Sequence, residues 1–285
     1  MNPILIDPIV KNALLEDYSW GDVTSENIIP AEAESELEIL LKEEGVIAGL
    51  PVAERTFKLV DPSIEWISIQ ADGDYCDKNT VIAKIKGNSR HILIAERVAL
   101  NFLQRLSGIA TLTRRFVGEV HKVNNHTRVL DTRKTTPGLR VFEKYAVKMG
   151  GGCNHRFNLS DSVLIKDNHL AILKSQKKSI GEVLKDIRSK IPHTTKIEIE
   201  ADSLEQVKEI LEIGVDAILL DNMKVEELRN AVELIDNRAI TEASGGISLE
   251  NIGQVAACGV DFISVGALTH SAKALDISLD YKEHY

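Results

Sequence analysis

Three cysteines are all the 285-residue chain contains: Cys76, Cys153 and Cys258. They form no CxxC pair and no zinc spacing, and an odd, scattered set argues against a disulfide framework. No apolar run approaches the roughly 18 residues that suggest a membrane span, so no membrane partner is expected. Aromatic residues are 5% of the chain and the formal net charge is −9. That balance excludes the basic surface of a nucleic-acid binder. There is no Pro/Gly/Ser-rich linker and no low-complexity block to signal disorder. The opening residues, MNPILIDPIVKNALLEDYSWGD, lack the basic and then apolar regions of a signal peptide. A reduced, cytoplasmic protein of one large or two moderate domains is the expectation.

What is present falls into two textures. In the first hundred residues nothing repeats. ILIDPIVKNALLEDY reads as an amphipathic helix. ESELEILLKEEGVIAGL alternates and turns through Glu44-Gly45, predicting a strand and hairpin. PVAERTFKLV has helical spacing, IEWISIQ and TVIAKIKG read as strands, and RHILIAERVALNFLQRLSG as a long helix ended by Gly108. After about residue 126, β-rich runs alternate with helices: TRVLD, SVLIKD, KIEIEA, DAILLD, AITEASGG and DFISVG. SLEQVKEILEIG, KVEELRNAVELI and SLENIGQVAACG separate the later ones. Alternation of this kind predicts a parallel sheet with right-handed crossovers. The expected architecture is an N-terminal α+β open sandwich (1–108, rejoined by 268–285) and an incomplete α/β barrel of fewer than eight strands (109–267). An open doubly wound sheet is second.

The six strands end on Asp131, Lys166, Glu200, Asp221, Ser244 and Gly266. Ligands in parallel βα architectures sit at such exits, and core packing alone does not require polar or glycine residues there. SGGIS, from Ser244, and VGALTHSA, from Val265, each join a strand to a helix and suit a phosphate. Glu200 and Asp221 suit sugar hydroxyls, Mg²⁺ or a developing cation, or serve only as helix caps. Lys166 suits a Schiff base or a fixed cation, and His169 a capping or surface position. DTRKTTPGLRVFEKYAVKMGGGCNHR concentrates Arg133, Lys134, Arg140, Lys144, Lys148 and Arg156, with His155, in an acidic chain. A charge run is usually a solvated face. This one follows a strand exit and flanks three glycines, which fits a polyanionic substrate whose carboxylates or phosphates the arginine forks can grip.

The segments ERVALNFLQRLSGIAT, DTRKTTPGLR, KYAVKMGGGCNHR, LIKDNH, EIEADSLEQ, LLDN and EASGGI, in this order, resemble the quinolinate phosphoribosyltransferase family over nearly the whole chain. The resemblance implies transfer of phosphoribose from phosphoribosyl pyrophosphate (PRPP) to quinolinate, with Mg²⁺, loss of CO₂ and formation of nicotinate mononucleotide for NAD synthesis. It further implies that Arg133, His155, Arg156 and Lys166 surround quinolinate, with Arg105 entering from the neighbouring subunit of a homodimer. Lys134, Glu200, Asp221, Ser244, Gly245, Gly246, Gly266 and His270 would serve PRPP, with Glu200 and Asp221 near the metal. Lys166, Glu200 and Asp221 are the expected catalytic residues. Hexamers of such dimers stay open. Rivals are a phosphosugar isomerase or Schiff-base aldolase on a similar barrel, and a diverged paralogue associated with molybdate transport.

Overall fold

The computed structural model describes residues 1–281. The chain forms two compact units, Met1–Arg114 with Lys134–Gly152 and Leu268–Tyr285, and Arg115–Arg133 with Cys153–Ala267. The segment 134–152, which sequence texture assigns to the barrel, therefore falls with the first unit. The first compact unit runs on to Arg114, inside a helix.

The first unit starts with α1 (Pro3–Asp17), capped by the Asn2 side chain, and α2 (Val23–Ile28), capped by Asp22. β1 (Glu34–Leu41) alternates so that Leu37, Ile39 and Leu41 are buried, the period-two pattern of a half-covered strand. β2 (Gly45–Val46), α3 (Leu50–Val60), β3 (Glu65–Ser68), β4 (Tyr75–Cys76) and β5 (Val81–Asn88) follow. α4 (Ser89–His121) comes next, then β6 (Arg128–Leu130) of the second unit, α5 (Arg140–Met149) and, much later, β12 (Ile277–Tyr281). The antiparallel sheet has the order β12-β1-β5-β3. Its inner face shares one core with α3 and α4, including Ile39, Leu41, Phe57, Ile85, Ile92 and Leu103.

Two expectations need correction here. The turn at Glu44-Gly45 makes no hairpin with β1, whose partners are β5 and β12. Instead β2 pairs with β4, and α4 side chains take backbone groups of β2 and of the residues just after it. Thr111 accepts from the Val46 N–H at 2.8 Å, and Ser107 accepts from the Ala48 N–H at 3.0 Å. Gly108 does not end α4, which runs on to His121. It lies where the returning chain crosses the helix, and a Cβ there would overlap the Lys273 carbonyl oxygen.

The second unit is built on β6, β7 (Val163–Ile165), β8 (Ile197–Ala201), β9 (Ala217–Asp221), β10 (Ile240–Ser244) and β11 (Phe262–Ser264). Helices α6 (Asp167–Ser175), α7 (Ile180–Lys190), α8 (Leu204–Ile213), α9 (Val225–Ile235) and α10 (Ile252–Ala256) connect them, and α11 (Ala267–His270) follows β11. All pairings in this sheet are parallel, in the order β6-β11-β10-β9-β8-β7. β6 and β7 are consecutive in the chain yet lie at opposite ends of that order. A curved sheet makes such strands neighbours across its gap. A flat doubly wound sheet would instead need a connection spanning its whole width. This is the incomplete barrel, with six strands. Among the described residues no helix is long and apolar enough to cross a membrane.

Two glycines of α4 give a paired test. Alanine in a helix ordinarily gains about 1 kcal/mol over glycine. Gly118→Ala, with nothing within 4 Å of the new Cβ, should show that gain in denaturant unfolding. Gly108→Ala should lose about 1–3 kcal/mol, because its new atom meets backbone that cannot rotate away.

Candidate active site

The parallel register brings the strand exits to one edge of the barrel. Asp221 pairs with Ser244 across β9 and β10, and Glu200 lies opposite Leu219 of β9. Lys166, at the end of β7, donates from Nζ to Glu200 Oε2 at 3.0 Å. Its side chain is 47% exposed while that of Glu200 is 12% exposed. The ring of His169 caps α6 by accepting the Lys166 backbone N–H through Nδ1 at 2.9 Å, the capping role expected of it. Asp221 accepts from the Asn222 side chain at 2.6 Å. Gly245 packs so tightly on Asn222 that any Cβ would overlap its amide, and its φ of +91° favours glycine independently. Gly246 faces open space, and Asn251 donates to its carbonyl at 2.8 Å. The helices after the two glycine-bearing exits are single turns, α10 of five residues and α11 of four. A cradle here depends on loop N–H groups more than on a helix dipole.

The basic stretch is organised by a buried carboxylate. Asp131, at the end of β6, is 0% exposed. It accepts from the Asn154 side chain at 2.5 Å and from the His155 N–H at 2.9 Å. Cys153 extends β6 by donating to Val129 and accepting from Asp131. This lays residues 153–156 beside β6. Arg133 comes close enough to Arg156 that its charge, after burial, is the next cause lowering the Arg156 pKa, against the opposing charges of Glu198 and Asp161. Arg156 Nη1 also donates to the Ser162 carbonyl at 3.2 Å.

His155 occupies an unexpected setting. Its Nδ1 accepts the Arg156 backbone N–H at 2.6 Å, so in this geometry a ring proton resides on Nε2. That atom lies 3.4 Å from Glu198 and 3.5 Å from Glu242. The three side chains have ligand atoms within 4.8 Å of one another. Glu198 and Glu242, both buried, were missed by sequence reasoning. The signal was a charged residue within an apolar strand, two positions before an exit. Alternation makes Glu198 share a face with Glu200, and Glu242 with Ser244.

Arg105, Lys134 and His270 belong to the first unit. Arg105 donates to Glu143 at 2.9 Å and to the carbonyls of Ala272 and Thr269. The Lys134 carbonyl accepts from Thr269 Oγ1 at 2.8 Å, next to His270, whose Nδ1 meets the Ser271 hydroxyl at 2.6 Å. Gly150 and Gly152 serve close packing on α4, since Cβ atoms there would meet Ala110 and Thr113. That corrects the reading of these glycines as an approach for ligand. Of the remaining cations, Lys144 is buried, Arg140 donates to Thr135, and Lys148 is exposed.

Residues 22–107 match the family described as quinolinate phosphoribosyl transferase, N-terminal domain, and residues 109–280 match its C-terminal domain. The chain belongs to the quinolinate phosphoribosyltransferase family. It is 43% identical over 280 residues to a probable nicotinate-nucleotide pyrophosphorylase [carboxylating] of Bacillus subtilis, covering 98% of this chain and 94% of that one. It is 44% identical to a chloroplastic enzyme of that name from Arabidopsis thaliana, covering 95% and 81%. Among solved structures, NadC from Streptococcus pyogenes superposes with a TM-score of 0.93 at 40% identity, covering 99% of both chains.

Membership in the quinolinate phosphoribosyltransferase family removes the ground from the aldolase rival, and the likeness to relatives named as pyrophosphorylases at 43% and 44% identity removes it from the transport paralogue. A Schiff-base lysine also works best enclosed by apolar side chains, whereas Lys166 is half exposed and ion-paired.

The His155–Glu198–Glu242 cluster has a pH signature. Burial raises the Glu242 pKa from 4.5 to about 7, the Glu198 charge adds to this, and His155 and Ser264 oppose it. An acid whose folded pKa exceeds its unfolded value binds its proton more tightly when folded. Its contribution is intact below the unfolded value of 4.5 and is lost as pH rises to about 7. The native state should therefore lose stability across that window and not beyond it. Glu242→Gln removes this ionisation. Its unfolding free energy relative to the parent should rise between those pH values by up to about 3 kcal/mol. Denaturant midpoints at several pH values measure this, and a pH-independent difference would contradict it.

Proposed function

We infer that the chain transfers phosphoribose from PRPP to quinolinate, releasing pyrophosphate and CO₂ and forming nicotinate mononucleotide for NAD synthesis. The observation that carries this reading is the Asp131–His155 bond, which brings the chain of Arg156 beside the strand end that Arg133 follows, in a barrel of this family. Two guanidinium groups close together repel, and a ligand with two neighbouring carboxylates relieves that repulsion. Holding the diacid there aims its ring nitrogen at C1 of the ribose. Orientation of this kind is worth about 7–11 kcal/mol in favourable cases.

As the nitrogen bonds to C1, the bond from C1 to pyrophosphate breaks and positive charge develops on the ribose. Glu200 and Asp221 are the carboxylates suited to that charge and to the ribose hydroxyls. Ser244, Gly245, Gly246 and Gly266 would take the 5′-phosphate through backbone N–H groups and a hydroxyl, with Lys134 and His270 also serving PRPP. The carboxylate oxygens of Glu200 and Asp221 are hard donors that fit Mg²⁺, directly or through water. When bound, Mg²⁺ supplies charge neutralisation on the leaving group. The alkylated nitrogen then carries positive charge, so CO₂ departs from C2 and leaves its electron pair there. Lys166, or a water beside it, delivers a proton to C2, while the arginines keep the retained carboxylate. His155, with Nε2 turned toward carboxylates, orients Arg156 through the backbone bond to its ring.

A homodimer in which Arg105 serves the neighbouring subunit completes the reading. Its support is apolar surface on the first unit, where Ile4, Leu5, Leu15, Trp20, Val23 and Ile28 are exposed. A surface of that kind calls for a partner. The cytoplasmic setting stays part of this reading.

With quinolinate and PRPP the chain should release CO₂ and pyrophosphate in equal amounts, and nicotinate should replace quinolinate poorly. Lys166→Met should lower product formation about 100-fold or more. Wild-type rates in that variant would remove the lysine's role. Arg105→Ala and Glu200→Ala, each strongly impaired but measurable alone, should regain activity when mixed, since each hybrid dimer holds one intact site. Verified hybrids without recovery would rule out shared sites.

A further inference from the structure

Glu143 is 0% exposed, and no step above uses it. Its carboxylate is held by three donors. Oε1 accepts from Arg105 at 2.9 Å and from the Thr136 hydroxyl at 2.8 Å, and Oε2 accepts from the Thr136 N–H at 3.0 Å. A buried carboxylate is expensive unless so satisfied. These contacts tie three pieces of the first unit together: α4 through Arg105, α5 through Glu143 itself, and the loop before α5 through Thr136.

The arrangement closes into a ring. Thr136 is two residues from Lys134, whose carbonyl accepts from Thr269 Oγ1, and the Thr269 carbonyl in turn accepts from Arg105. Arg105 also donates to Ala272 at 3.0 Å. Its guanidinium is thus gripped by one carboxylate and two carbonyls, yet its side chain remains 27% exposed. Arg105 also lines a cavity of about 280 Å³, with Ala13, Glu16, Asn101 and Phe102. A guanidinium held by three acceptors in a side chain that keeps some exposure has its orientation fixed, and with it the direction of its remaining donors.

We propose that Glu143 is the positioning residue for Arg105, fixing the direction in which that arginine meets a substrate carboxylate. The proposal rests on the quinolinate reading of Arg105. Thr136 is the second anchor, steering the Glu143 carboxylate by two hydrogen bonds. Glutamine at 143 cannot satisfy all three donors: its oxygen accepts, but its NH₂ meets a donor from Arg105 or Thr136. Arg105 should then wander, and a floppy arginine binds an anion less well without altering the chemistry that follows.

The test is steady-state kinetics on the full chain with quinolinate and PRPP, alongside thermal unfolding. Glu143→Gln should raise KM for quinolinate about tenfold or more, with kcat changed less than threefold and KM for PRPP little moved. Glu143→Asp should recover part of the loss. The Arg105→Ala/Glu143→Gln double variant should match Arg105→Ala in kcat/KM, because a positioning residue has nothing left to position. A further drop in the double variant, or an unchanged quinolinate KM in a folded Glu143→Gln protein, overturns the proposal. Should Glu143→Gln fail to fold, Thr136→Val decides. A quinolinate KM raised several-fold supports positioning, and an unchanged one overturns it. A wild-type chain without turnover overturns the quinolinate reading, and this proposal with it. An active wild type with unaffected variants overturns the proposal alone.

Discussion

The barrel end of this protein depends on one buried carboxylate, Asp131. A charge with no exposure at the end of β6 has to find donors, and it finds them in Asn154 and the His155 N–H. Those bonds, with Cys153 pairing onto β6, decide where the chain goes on leaving α5. Arg156 comes to lie near Arg133 although 22 residues of chain separate them. Without that anchor the cations of the stretch would have no reason to converge. The ordinary fate of a basic run, a solvated face, would be theirs too. The cost of burying Asp131 is offset locally by hydrogen bonds, and these lay residues 153–156 beside the end of β6.

The same unit keeps opposite charges in layers. At the strand exits Lys166 pairs with Glu200, and Arg133 stands by Arg156. One layer below, Glu198 and Glu242 meet across β9, with the His155 ring against them. Alternate strands contribute to one interior layer of a barrel, which is how β8 and β10 can share it. Glu198 opposes the lowering of the Arg156 pKa, so the interior acid layer counters the Arg133 charge felt at Arg156. His155 links the layers. Its Nδ1 accepts from the backbone of Arg156, and its Nε2 faces the acids. On the proposed reading, its contribution to anion binding is indirect, through the arginine that follows it.

Local patterns were legible in the sequence, and long-range contacts were not. All six barrel strands and their exits could be read, because alternation and strand-to-helix turns are written within a few residues. Lys166, Glu200 and Asp221 stood out as polar ends of apolar runs. Gly108 misled because a glycine inside a helix and a glycine ending one read alike. The difference lies with Lys273, far along the chain. The hairpin at Glu44-Gly45 failed for a similar reason: the groups that capture β2 are Ser107 and Thr111 on α4. Glu198 and Glu242 were visible as charges in apolar strands, but their meeting with His155 depends on three separate segments. Residues 134–152 looked like barrel because they follow a barrel strand. Phe142 packs edge-on against Phe102 of α4, at 5.2 Å between ring centres, and Tyr145 donates to Asp72 at 2.6 Å.

The glycine-bearing turns separate two meanings of one motif. A helix N-terminus attracts phosphate when several aligned peptide dipoles stand behind it. Neither α10 nor α11 has the length for that. Around Gly245 the structure uses a different device. Asn222, itself at positive φ, donates from its backbone to the Ser244 carbonyl, and its side chain fills the space a Cβ would need. Asn251 fastens the far side by bonding Ser248 and Gly246. The loop is therefore held from both ends before any ligand arrives, and the open face at Gly246 needs no rearrangement to admit one. Preorganised backbone amides lose little entropy on binding. In a loop followed by a single-turn helix, that rigidity would take over, on the phosphate-binding reading, the work a long helix dipole does elsewhere.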